Sequence, residues 1–290
     1  MGGSESFPPN YMSNPHLFID ARNVLYRAVY ASAVDQKYAI KYHCMVIFLR
    51  QIVGWIQKYK PQKVHVFWDA PRVTVWRKMI LTTYKDRPPN PYIENIGDLL
   101  NVNTAVATDL LSVLNVRQYN RRQMEADDLI YAAAALFHPD KSVIVSTDSD
   151  LTQIPHIFSS CAVYDPQKMV EVETPRHHPA FMKALIGDKA DVIQGYSGIG
   201  PKKAAMLLEN PKHLQEFLNL KGKETYNRNL LLTDLSLCPQ LLANKLYVQK
   251  VSGEDVVYDQ SKVVELIKIN KIIGLDTEYA DLIPAFAKLG

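Results

Sequence analysis

Cysteine is scarce in this sequence: Cys44, Cys161 and Cys238 are odd in number, far apart, and form no CxxC pair. A disulfide framework or a thiolate zinc site is therefore not expected, and such usage fits a reducing cytosol. No run of about 18 apolar residues occurs, and no basic-then-apolar leader, so neither a membrane span nor a signal peptide is expected. Net charge is small, +3 from 33 basic and 30 acidic side chains. That balance hides a segregation, because the acids cluster while many lysines and arginines lie elsewhere, which is the pattern of an acidic pocket in a basic surface. With 47% hydrophobic and 22% charged residues over 290 positions, the chain can bury a sizeable core as one large domain or as a core with an appended region. Residues 1–16, rich in Gly, Ser, Pro and Asn, read as a disordered head or an expression remnant.

The acids are placed at the ends of periodic segments. Leu17-Phe18-Ile19 reads as a short buried strand closed by Asp20, and Val64-His65-Val66-Phe67-Trp68 as a second closed by Asp69. A lone aspartate there could simply cap the next helix. Two apolar strands ending alike weaken that explanation. Ile40 to Tyr59 carries a helical stripe of Val46, Leu49, Val53 and Ile56, which is core packing. Between Pro71 and Gln123 no strand is evident; Arg72, Arg77, Lys78, Lys85 and Arg87 accompany Trp76 and Tyr84, a mixture that suits either single-strand nucleic acid or a solvated charged face. Ile93 to Val116 then has helical spacing, and so long an insertion between strand units suits a functional lid.

Glu125, Asp127 and Asp128 open an apolar helical pattern, and Asp148 and Asp150 follow the strand-like run Ser142-Val143-Ile144-Val145, so five carboxylates fall within 26 residues. Asp188 and Asp191 make a third group. Acids in a first turn also suit the helix dipole. Nine carboxylates at element ends, however, cannot all stay ionised in one place without cations. Magnesium takes oxygen ligands and keeps several waters; two ions about 3.5–4 Å apart would clamp a phosphodiester. A calcium store would favour one contiguous loop with ligands at alternate positions, and no such loop is visible. Downstream, Gly198-Ile199-Gly200-Pro201-Lys202-Lys203 is a glycine turn entering a helix, either an anion site or a plain connection. The rest is mostly helical, with segments at Ala204–Leu208, His213–Leu218, Asn229–Leu235 and Ser261–Ile269, and lacks acid clusters.

Five ordered blocks carry a family resemblance: Leu17-Phe18-Ile19-Asp20 with Leu25-Tyr26-Arg27-Ala28; Val66-Phe67-Trp68-Asp69; Glu125-Ala126-Asp127-Asp128; Ser146-Thr147-Asp148-Ser149-Asp150; and Ala184 to Asp191 with Gly198 to Ala204. Asn229 to Leu235 resembles a late helix of the same family. The sequence resembles the 5′ nuclease (flap endonuclease) superfamily, which includes freestanding phage 5′-3′ exonucleases and the 5′ nuclease domain of bacterial DNA polymerase I. The resemblance implies an α/β fold, a mostly parallel central sheet flanked by helices (a PIN-like nuclease core) over 17–174. A helical arch at about 78–124 and a helical duplex-DNA-binding region with a helix-three-turn-helix motif over 175–290 would complete it. It implies hydrolysis of phosphodiesters near single-strand/duplex junctions, on DNA with 5′ flaps, overhangs or nicks, by a monomer in the cytoplasm of a bacterial or phage-infected cell. Removal of RNA from RNA–DNA hybrids and non-catalytic DNA binding are the alternatives.

By the same resemblance Asp20, Asp69, Glu125, Asp127, Asp128, Asp148, Asp150, Asp188 and Asp191 would hold two or more Mg2+ ions, with Mn2+ substituting. Lys85, Asp20, Asp128 and Asp148 would be catalytic. Arg77, Tyr84, Lys85, Arg87, Gly198, Gly200, Lys202 and Lys203 would contact DNA, with K+ on the carbonyls of the glycine turn. Three departures stand out. Ala21-Arg22 follows the first aspartate where the family commonly has glycine, Arg87 lies two residues after Lys85 rather than three, and Val192 replaces a usual asparagine.

Overall fold

A computed structural model of the chain describes residues 14–34, 43–86, 91–272, 274–275 and 282–289, with the side chains of 91–95 left out. Arg87 and nearly all of the 1–16 head lie outside these residues. Six strands form one sheet in the order β3-β2-β1-β4-β5-β6. β1 (His16–Asp20), β2 (Lys63–Trp68), β3 (Arg117–Asn120), β4 (Ser142–Val145) and β5 (Cys161–Asp165) run parallel, and β6 (Val170–Val172) returns antiparallel at the edge.

The central strands read as unbroken apolar runs because both sheet faces are buried. Leu17, Ile19, Val64, Val66, Val143 and Val145 face α1 (Ala21–Val34), α2 (His43–Tyr59) and α3 (Pro91–Ser112). Phe18, Phe67, Tyr119 and Ile144 face α4 (Ala126–Phe137) on the other side. β3 is the strand that apolar pattern misses: Arg-Gln-Tyr-Asn lies at the sheet edge and buries only Tyr119. The helical pattern read to Val116 stops at Ser112, since Asn115 turns through φ 57° into β3.

After β6 the chain is helical apart from a two-strand hairpin, β7 (Gly187–Asp188) and β8 (Ile193–Gln194). A short α5 (Ile154–Ile157) precedes β5; α6 (Pro179–Ile186), α7 (Pro201–Glu209), α8 (Pro211–Lys221), α9 (Glu224–Thr233), α10 (Leu241–Ser252) and α11 (Gln260–Ile269) follow β6. This stretch is not packed separately from the sheet. Val248 of α10 is buried in the cluster around α4, and Val263 and Ile267 of α11 join the cluster around α2 and α3. None of the helices described is long and apolar enough to cross a membrane.

Candidate metal centre

Strand order reverses between β1 and β4, and in an open parallel sheet the crevice at the carboxyl ends beside that reversal receives ligands. Asp20 ends β1, Asp69 follows β2 and Asp148 follows β4. Asp127 comes from the first turn of α4. These four line a cleft of about 1760 Å³ together with Asp150, Asp188 and Asp191.

Among the described residues no salt bridge reaches Asp20, Asp69, Asp127 or Asp148. Ser146 Oγ donates to Asp20 Oδ2 at 2.8 Å, and the Ala126 N–H donates to Asp69 Oδ1 at 2.9 Å. Burial and the neighbouring charges of Asp69 and Asp148 push Asp20 up to about 7. Burial also raises Asp69, and Asp127 is raised well above the carboxylate range by burial together with Asp148 and Asp20. Asp20, Asp69 and Asp127, raised together in this way, are short of a cation in direct contact.

Asp150, Asp188 and Asp191 are positioned differently. Asp150 sits in the 3-10 turn Ser149–Gln153, while Asp188 and Asp191 ride on the hairpin after α6. Gly187 has φ 80°, and a Cβ on it would lie 2.4 Å from Gly195 N, so both glycines permit the close crossing that presents these acids. The three offer oxygens within 4.8 Å of one another. Lys183 of α6 pairs with Asp150 Oδ1 and, at 2.5 Å, with Asp188 Oδ2. Burial alone would raise Asp188; Lys183 and the N–H groups of Ala190 and Asp191 outweigh it and lower the group. Burial pushes Asp150 up to about 6 despite Lys183.

Two acids expected in the cleft are turned inward. Asp128 is fully buried, with Arg77 Nη1 and Nη2 at 3.0 and 2.9 Å, Trp76 Nε1 at 3.0 Å and the Glu125 N–H at 3.1 Å. Its oxygens are taken by a fork of donors and a capping box, so Asp128 is not brought to the other acids. Glu125 pairs with Arg77 at 2.6 Å and with Lys85 Nζ at 2.5 Å. Burial opposes its charge, but Arg77 and Lys85 prevail and lower its pKa.

The cations and aromatics divide likewise. Arg77, expected against DNA, is an interior strut that also donates from Nε to the Leu232 carbonyl at 2.8 Å. Tyr84 is buried too, its hydroxyl 3.1 Å from Glu125 and 3.2 Å from Asp191. Lys85 lines the cleft, and its N–H bonds the Asp191 carbonyl at 3.0 Å. Gly198 has φ 75° and its carbonyl accepts from Lys203 Nζ at 3.1 Å; Gly200 precedes α7, and Lys202 and Lys203 are exposed. Sequence reasoning assigned no role to Arg22, Arg27 or Lys183, all of which line the cleft, as does Arg72, which it had grouped with the cations suited to single-strand nucleic acid. Arg27 was visible in a motif, whereas Lys183 had no signal beyond standing one helical turn before Gly187.

Comparison with known proteins agrees with this architecture. The family model described as 5′-3′ exonuclease, N-terminal resolvase-like domain, matches residues 15–181. A 5′-3′ exonuclease of Aquifex aeolicus is 29% identical over 258 residues, covering 82% of this chain and 84% of that protein. Flap endonuclease Xni of Shewanella woodyi is 31% identical over 177 residues, 58% of this chain and 66% of that protein. The T5 D15 protein co-crystallised with metal ions superposes with TM-score 0.67 at 18% identity, over 87% of this chain and 98% of that one, and so shares the fold. Because the family model covers more than half of the sequence, including the strands that carry Asp20, Asp69 and Asp148, the chain belongs to the 5′-3′ exonuclease N-terminal domain family.

Proposed function

We propose that this protein is a divalent-metal-dependent, structure-specific 5′ nuclease that hydrolyses DNA phosphodiesters near junctions of single-stranded and duplex DNA. The observation that carries this is the group Asp20, Asp69, Asp127 and Asp148 at the element ends, without a salt bridge among the described residues, with Asp150, Asp188 and Asp191 across the same cleft. Family relatives named 5′-3′ exonuclease and flap endonuclease support the reaction class. All-oxygen donors suit Mg2+, with Mn2+ able to replace it. The first four acids would hold one ion and Asp150, Asp188 and Asp191 a second, the three offering oxygens within 4.8 Å of one another. When bound, such ions lower the pKa of an attacking water and stabilise charge gathering on the phosphate.

The chain's own groups orient and neutralise. Ser146 fixes Asp20, and the Ala126 N–H fixes Asp69. Lys85, held over the cleft by Glu125, would stabilise the phosphate oxygens. Arg27 Nη1 is buried without a hydrogen-bond partner beside the same cleft and would donate to a phosphate oxygen. Lys202 and Lys203 would meet the duplex backbone, and K+ at that turn would share the Gly198 carbonyl with Lys203.

The test is a duplex with a labelled 5′ flap, incubated in Mg2+ or in chelator, with product sizing. Mg2+-dependent release of the flap as one fragment, or of short 5′ products, is expected. Tight DNA binding without products in Mg2+ or Mn2+ would overturn the reading. Matched RNA-containing flaps in the same assay assign strand preference.

A further inference from the structure

Lys183 is the one ammonium among the described residues that bridges two acids of the cleft within 2.5 Å, and the two differ in setting. Asp150 belongs to the turn after β4 and Asp188 to the hairpin after α6, so the lysine joins two chain segments. Its helix packs on α9 and on the turn that carries Asp150, which holds its backbone in place. Its side chain is 19% exposed. The three acids around it have oxygens within 4.8 Å of one another, a spacing that fits one metal ion. An ammonium and a divalent ion cannot share that space, since like charges at such range repel strongly.

We propose that Lys183 is a tethered counter-ion for this second acid group, which its ammonium must vacate for a divalent ion to be held there. The inference rests on the nuclease reading above. A lysine suits exchange: its charge is a point on four flexible methylenes, whereas arginine would lock two carboxylates in a planar fork. Asp150 Oδ1 is paired with the ammonium itself, so a metal ion can take that oxygen only by displacing Lys183. Among the described residues no ammonium bridges Asp20, Asp69, Asp127 or Asp148, and Lys85 and Arg22 act on them only from outside ion-pair distance, so the first ion meets less opposition. The two ions therefore bind in order and with unequal affinity. On leaving, the Lys183 ammonium remains beside the cleft, where a DNA phosphate would receive it. Occupancy of the second site is then coupled to substrate, and by linkage the coupling runs both ways.

The experiment is a Mn2+ titration of the metal-free full chain, followed by calorimetry and by the electron paramagnetic resonance of free Mn2+, for wild type, Lys183→Met, Lys183→Gln and Lys183→Arg. Thermal melts in chelator establish that each is folded. Expected are an unchanged tight ion and a weak ion bound about tenfold more tightly in both neutral variants, equivalent to about 1.4 kcal/mol. Lys183→Arg, which keeps the charge, stays as weak as wild type or weaker. Superimposable weak-ion isotherms, or a weaker ion in the two neutral variants, would overturn the proposal. Having both neutral side chains, one apolar and one polar, keeps the test decisive if one fails to fold. Absence of any tight ion in wild type would instead sink the metal-dependent nuclease reading, so the two failures are separable.

Discussion

The two acid groups of the cleft are built on opposite principles. Asp20, Asp69 and Asp148 are fixed by the ends of central strands and Asp127 by the helix start next to them, and they face one another without a lysine or arginine pair. Asp150, Asp188 and Asp191 hang on a turn and a hairpin, and the Lys183 ammonium already binds the first two. The strand-end group is left without a contacting cation; on the turn-and-hairpin side, Lys183 neutralises part of the repulsion. Glu125 and Asp128 form a third case, two acids of the same motif held by Arg77, of which Asp128 serves the fold and Glu125 also positions Lys85.

The comparison breaks most visibly at its strand-end side. Asp127→Asn or Asp148→Asn should lower single-turnover flap cleavage by about 10³-fold or more while duplex affinity persists. A rate within tenfold of wild type would show that this group is not the reacting centre. Asp128→Ala tests the inward acid instead. It leaves the Arg77 guanidinium buried against Glu125 alone, and urea unfolding should show a loss of about 3–5 kcal/mol. If stability is unchanged but Mn2+ binding disappears, Asp128 belongs with the ligands after all.

A pH series sharpens the contrast. The folded Asp20 titrates at about 7, up from 3.8, so between those values the folded state holds the proton that the unfolded state has released. Its contribution to the stability of the metal-free protein is therefore present below about 3.8 and lost as pH rises toward 7. Relative to Asp20→Asn, wild type should lose up to about 1.4 kcal/mol per pH unit across that window, and Mg2+ should restore it above pH 7. Parallel stability curves for the two proteins would show that the group is not coupled as described. The smallest effect concerns Val192, beside Asp191, whose φ is 60°. A β-branched side chain is disfavoured there, so Val192→Asn should raise stability by about 1 kcal/mol, read as a higher melting temperature. No gain would mean that the hairpin does not carry that strain.

Much of this arrangement is legible residue by residue. Leu17-Phe18-Ile19-Asp20 and Val64 to Asp69 announce themselves because a strand buried on both faces must be apolar throughout and an acid must then lie at its end. β3 does not, since an edge strand with a single buried residue carries no pattern. The fate of Asp128 is equally hidden: Glu125-Ala126-Asp127-Asp128 reads as three candidate ligands, and only Arg77, about fifty residues earlier, separates them. Arg77 and Tyr84 look like nucleic-acid contacts for the same reason, because exposure is not written in a side chain's chemistry.

The sequence by itself determined the apolar strands, the order of the acid motifs and their location at element ends, since these follow from local periodicity and from the need to bury apolar strands; the parallel sheet was implied by the family resemblance those motifs carry. Tertiary structure alone decided which acids meet, which are bound by Arg77, and that Lys183 stands among the others. Those outcomes depend on the distance between side chains far apart in the chain, and charge interactions fall off with that distance rather than with separation in sequence.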